Sequence, residues 1–143
     1  MIVLTADPLA SPLPAQQQAA LDLLRALLPT SHEIELHVSE LPRFFDCGSN
    51  FESVFCPFCE AEVMEWWGDA LDRWSKGDQR DLAVATPCCG RETSLNDLDY
   101  VAPQGFACVA IELMNPEKDL EPEERRRVEA ALGEPVRIVW RHI

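Results

Sequence analysis

The sequence predicts a single α+β domain over residues 1–143, and three observations lead there. Apolar residues recur with helical period near each end, over Ala20 to Leu28 and again after Pro122. Four short segments flanking those helices alternate, or run almost unbroken, in the manner of strands. Between the two halves lies a cysteine-bearing stretch, 43–103, with a pattern of its own. A chain of this length buries about 68–70% of its unfolded surface, so it needs no metal merely to own a core. With 47% apolar residues and no polar low-complexity tract, global disorder is excluded.

Residues 2–6 read as a first short apolar strand, and Pro8, Pro12 and Pro14 then enforce an extended connection. From Ala15 a helix begins, with Ala20, Leu21, Leu24, Leu27 and Leu28 on one stripe and Pro29 as its stop. Residues 33–39 alternate, placing Ile34, Leu36 and Val38 on one face and Glu35 and His37 on the other, which describes a half-buried strand with a solvated His37. Phe106 to Leu113 is nearly continuously apolar, as a central strand covered on both faces would be, and Cys108 within it reads as a small core side chain. Pro122, Glu123 and Glu124 open a second helix that Gly133 and Pro135 close. Glu121 with Arg125 and Glu123 with Arg127 stand at i, i+4 for weak ion pairs along it. Val136 to Ile143 is the last strand, with Val136, Ile138 and Trp140 on one face.

With the middle set aside, the order is strand, helix, strand, strand, helix, strand. That succession is the split βαβ arrangement of ferredoxin-like folds, in which two helices cover one face of a four-stranded antiparallel sheet. Residues 43–103 then form an insertion between strands two and three. Its strongest element is a helix in which Val63, Trp66, Trp67, Ala70, Leu71 and Trp74 share a face, a spacing that reads as core packing rather than a stacking site. Leu82 to Ala85 is a short strand, and Ser94 with Asp97 signals a capped turn. The loop carrying Asn96, Asp97, Asp99 and Tyr100 is a candidate recognition loop, with a plain capped turn as the alternative.

The chemistry concentrates in Cys56-Pro57-Phe58-Cys59 and Thr86-Pro87-Cys88-Cys89-Gly90, two Pro-containing turns with 28 residues between Cys59 and Cys88. A tetrahedral ion takes four soft ligands from two such rigid turns, so Cys56, Cys59, Cys88 and Cys89 are the candidate ligands of a structural zinc ion. The second turn departs from the first. On a Cys-Pro-x-Cys-Gly template Thr86 stands where a cysteine belongs, Cys88 falls between the ligand positions, and Glu60 replaces the first turn's glycine. Three arrangements remain open: both Cys88 and Cys89 ligate; Cys89 joins Cys56 and Cys59 while Cys47 or His37 completes the set; or no metal binds. Cys47, in Asp46-Cys47-Gly48, otherwise reads as a loop cysteine.

These turns resemble those of zinc ribbons over residues 56–59 and 86–90, which makes 43–103 a zinc-ribbon-like insertion. More loosely, Thr86-Pro87-Cys88-Cys89-Gly90 with Thr93 to Leu98, Tyr100 and Gly105-Phe106-Ala107 is similar to a group of small uncharacterised bacterial proteins, a resemblance that brings no activity with it.

The net charge of −13 is concentrated, since residues 43–100 carry 12 acids against 5 bases. Such a surface repels phosphate backbones and anionic lipid, and the only basic run, Arg125 to Arg127, is interleaved with Glu, so direct nucleic-acid binding is disfavoured. The amino terminus has no basic residue ahead of its short apolar run and no segment reaches the ~20 apolar residues of a membrane span. A cytoplasmic protein is expected, its six cysteines serving as metal ligands or buried thiols. The leading functional expectation is a non-catalytic zinc-binding protein that docks on another, basic protein, as an inhibitor or immunity-type protein does. The alternative is thiol–disulfide redox work by Cys56/Cys59 and Cys88/Cys89. Metal-dependent hydrolysis fits poorly, because four thiolates leave no open coordination position.

Overall fold

β1 (Ile2–Thr5) is buried along its whole length: two strands flank it in the sheet, and its side chains enter apolar clusters on both faces. The computed structural model describes residues 1–143 and shows a mixed α+β molecule. Its principal sheet has four antiparallel strands in the order β2 (Glu33–Phe45), β7 (Gly105–Met114), β1, β8 (Val136–Val139). Helices α1 (Pro14–Leu27) and α3 (Pro122–Leu132) cover one face. Met1, just ahead of β1, and Val3, Ile111, Leu113 and Val136 from the strands meet Ala20, Leu24, Val128 and Leu132 from the helices. Full burial of each such aliphatic side chain contributes about 1.5–3 kcal/mol, which holds the helices to the sheet.

Local sequence explains the helix ends. Pro14 and Pro122 occupy the first turns, where a missing N–H costs nothing. Gln16 and Glu124 accept the N–H groups of Leu13 and Glu121 respectively. Gly133 closes α3 at φ 77, the left-handed conformation that glycine adopts without a Cβ clash. The i, i+4 pairs expected along α3 do not form. Arg126 pairs with Glu123 at 2.9 Å and Lys118 with Glu124 at 2.8 Å, while Arg125 reaches across to donate to the Val136 carbonyl at 2.6 Å.

The strands outrun their sequence signals at one end and fall short at the other. β2 continues to Phe45 past a register irregularity between Val38 and Arg43, so the segment between the long strands is 46–104. At that irregularity Val38 leaves the core and is 58% exposed, against the alternation that placed it inside. β8 stops at Val139, and Trp140 turns outward because the chain bends back over the sheet. There His142 bridges Gly48, and the Ser49 N–H donates to the His142 carbonyl at 2.7 Å. The sheet's second face is thus partly covered, with Ile2, Leu4, Ala110 and Val139 packed against Phe45 and Cys47.

The middle segment holds β3 (Ser53–Phe55) paired with β6 (Asp99–Val101), and β4 (Ala83–Ala85) paired with β5 (Glu92–Ser94). Between the pairs runs α2 (Met64–Lys76). The tryptophans behave as core. Trp66, Trp67 and Trp74 pack on a cluster that includes Val54, Leu82, Leu95, Tyr100 and, from β7, Phe106. Trp74 meets Phe106 edge-on with ring centroids 4.9 Å apart. Because Phe106 belongs to the main sheet and to this cluster, the middle segment shares its core with the sheet.

Candidate metal centre

Each cysteine turn is shaped by its own backbone. In the first, the Cys56 N–H donates to the Ala61 carbonyl at 2.8 Å and the Glu60 N–H to the Cys56 carbonyl at 3.0 Å. In the second, which joins β4 to β5, the Thr86 N–H donates to Arg91 at 3.0 Å and the Gly90 N–H to Thr86 at 2.8 Å. Glu60 at φ 64 and Gly90 at φ 70 make the same left-handed step. For Glu60 that step costs roughly 1–2 kcal/mol, the penalty a glycine avoids. The turns are therefore equivalent residue for residue, and Thr86 stands at the position of Cys56, Cys88 at that of Phe58, Cys89 at that of Cys59.

The structure brings Cys56, Cys59, Cys88 and Cys89 together, all four sulfurs lying within 4.8 Å of one another. Cys56 Sγ is 3.8 Å from Cys89 Sγ, and Cys59 Sγ is 3.2 Å from Cys88 Sγ. A tetrahedral ion with metal–sulfur bonds of about 2.3 Å has ligand edges of about 3.8 Å, so the donor set and its spacing fit such an ion. Cys56 is buried at the base of the group and the other three are exposed. All six cysteines are free thiols.

The electrostatics are uneven. Burial pushes the Cys56 thiol up, but the N–H groups of Cys59 and Phe58, with Thr86 and Cys88, outweigh it and bring the pKa down to about 6. The hydrogen-bonded contact with Cys59, with burial adding to its effect, pushes the Cys88 thiol up to about 12. The Thr86 hydroxyl, 3.2 Å from Cys89 Sγ, is the main cause that lowers the Cys89 thiol. The cluster therefore holds a resident thiolate at neutral pH beside thiols whose protons a cation would displace.

Cys47 and His37 lie apart from this group. Cys47 is buried under the sheet, where its N–H donates to Gln104 Oε1 at 3.0 Å and burial raises its thiol pKa. Cys108 is buried in β7, as a core side chain should be. His37 is a correction: only 16% of its side chain is exposed, because Phe45 and Arg43 cover it, rather than the open solvation its place in the strand suggests. It sits with Glu35 and Glu112 in a second cluster of potential ligands. The protein's own cations already serve that cluster, since Arg141 Nη1 is 3.2 Å from Glu112 and Arg43 Nη1 is 3.3 Å from His37 Nδ1. Only the pairing of Glu35 with Glu112 across β2 and β7 assembles it, a register the sequence does not display.

The candidate recognition loop divides. Asp97 and Asp99 are exposed, but Asn96 and Tyr100 are buried with their polar atoms engaged. Asn96 Oδ1 accepts from the Phe106 N–H at 2.9 Å and from Arg137 Nη1 at 3.0 Å, and its Nδ2 donates to Ala6 at 2.9 Å. Tyr100 donates to the Leu95 carbonyl at 2.6 Å and accepts from the Trp67 indole at 3.1 Å. These two side chains bind the middle segment together and to the sheet, so a recognition loop of all four residues is not what the structure presents. Ser94 does cap the turn, accepting from the Asn96 N–H at 3.1 Å.

No helix is long and apolar enough to cross a membrane. Set against protein-family models, curated proteins and solved structures, the chain gives no match.

Proposed function

We propose that the chain is a cytoplasmic, non-catalytic zinc-binding protein that acts by docking on a basic protein partner. In this reading a ferredoxin-like sheet supports a zinc-ribbon-like insertion, and Cys56, Cys59, Cys88 and Cys89 hold one structural ion. The observation that carries the reading is the convergence of four sulfurs from two turns far apart in sequence. Zinc suits it because a filled set of soft thiolates in tetrahedral array is a closed, structural site.

The docking half rests on charge. Of the 12 acids counted over 43–100, all but the half-buried Asp46 are exposed. Within that stretch the close ion pair is Lys76 with Asp72, so most of the field is left for a partner. Such a surface speeds encounter with a basic protein, as an inhibitor or immunity-type protein requires, and disfavours nucleic acid and membranes. Thiol–disulfide work remains a second reading, favoured by the 3.2 Å approach of Cys59 and Cys88.

Elemental analysis of purified chain tests the first half, with one zinc per chain expected and none refuting it. A pulldown from the native host at low salt tests the second. It should return a basic protein that is lost as salt rises; recovery of no basic partner would count against docking.

A further inference from the structure

We propose that Cys59 and Cys88 form an oxidisable pair whose reaction with hydroperoxides opens the metal clasp, an inference that rests on the reading of the cluster as a metal centre. Three observations single out this pair among the possible ones. Both residues are exposed and their sulfurs are 3.2 Å apart, closer than the 3.8 Å between Cys56 and Cys89. Cys56 is buried and accepts the Phe58 N–H at 3.5 Å, while Cys89 is engaged by the Thr86 hydroxyl. A bridge between the neighbours Cys88 and Cys89 is disfavoured, because adjacent Cα atoms lie about 3.8 Å apart and disulfides usually need about 4.4 Å or more.

Cys88 is the extra member of the set. Because Thr86 holds the position equivalent to Cys56, the fourth sulfur is delivered from the turn's exposed middle, where the first turn carries Phe58. A cation takes this sulfur only as the thiolate, so in the metal-loaded protein Cys88 presents an exposed thiolate to a peroxide oxygen. Its sulfur attacks that oxygen and the O–O bond breaks, giving a sulfenic acid and an alkoxide or hydroxide that takes up a proton. The Cys59 thiolate then attacks the sulfenic sulfur, forming the S–S bond and expelling hydroxide. Two electrons pass from the sulfurs to the peroxide, and the metal ion keeps its charge. It is left with Cys56 and Cys89 alone, too few for a four-coordinate site.

The test uses zinc-loaded, full-length protein. Hydrogen peroxide is added, released zinc is read with a chromogenic chelator, and the disulfide is located by peptide mass mapping. One zinc released together with a Cys59–Cys88 bridge is expected. Retention of zinc, or release with Cys56–Cys59 as the main bridge, overturns the proposal. Protein that carries no zinc before peroxide is added overturns the metal-centre reading and this one with it. The double variant Thr86→Cys with Cys88→Ser moves the fourth sulfur to the sheltered equivalent position. It should bind zinc and lose it several-fold more slowly, whereas release at the wild-type rate would remove Cys88 from the account.

Discussion

Thr86 occupies in the second cysteine turn the place that Cys56 occupies in the first, with the same backbone bond closing each turn. The substitution moves one ligand by two residues without changing the turn. Buried and 3.2 Å from Cys89 Sγ, the Thr86 hydroxyl replaces a metal ligand with a hydrogen bond to one. Thr86→Val keeps the shape and removes that bond. The expected cost is about 1 kcal/mol, read by denaturant unfolding of the metal-free protein, together with a higher Cys89 thiol pKa in thiol titration.

Metal affinity should depend on pH with a visible break. Cys56 is depressed to about 6 from 9.0, so its thiolate stabilises the metal-free fold above pH 9 and that contribution fades as pH falls through about 6. Below the break the metal must also displace the Cys56 proton. A plot of log affinity against pH, from chelator competition, should steepen by about one proton below pH 6. A slope unchanged across that region would contradict the depressed thiol.

Removing the metal should loosen α2 before the sheet. The ion ties two turns across a 28-residue spacer, and closing a loop of that size costs an unclamped chain roughly 3 kcal/mol or more. Trp66, Trp67 and Trp74 all report from the cluster beside it. On adding a strong chelator, tryptophan emission should change at temperatures where far-ultraviolet dichroism still shows the sheet intact. Simultaneous loss of both signals would mean that the ion holds the whole molecule.

Asn96→Ala should destabilise by about 2–3 kcal/mol in denaturant unfolding. It strands the Phe106 N–H and the Ala6 carbonyl, both previously satisfied by one buried amide, and leaves Arg137 with the Gln104 carbonyl at 2.8 Å. By contrast Asp97→Asn, on the exposed neighbour, should leave stability within about 0.5 kcal/mol.

Gly48→Ala should free the C-terminal tail. Gly48 has φ 60, and a Cβ there would strike the His142 carbonyl, the acceptor of the Ser49 N–H. Faster amide exchange at Ser49 and His142, with metal content unchanged, is the expected result.

Periodicity carries the elements whose burial is one-sided or complete, and here it sufficed for much of the fold. The α1 stripe through Ala20 and Leu24, the α2 face through Trp67 and Ala70, the apolar run of β7 and the Pro and Gly that bound α3 all state their structure locally. The four cysteines were legible as a set for a like reason, because a Pro-bearing turn that presents thiols needs only neighbouring residues to form. Tertiary structure decided what depends on partners distant in sequence. Val38 turned outward because β2 shifts register against β7, His37 was covered because Phe45 folds beside it, and Asn96 was drawn inside because Ala6, Phe106 and Arg137 converge there. A strand or loop residue's surroundings come from the segments that cross it, and no local pattern encodes which ones those are. The sulfurs' meeting point is of the same kind: each turn shapes itself, but only the packing of α2, β3 and β4 around a shared core sets the two turns face to face.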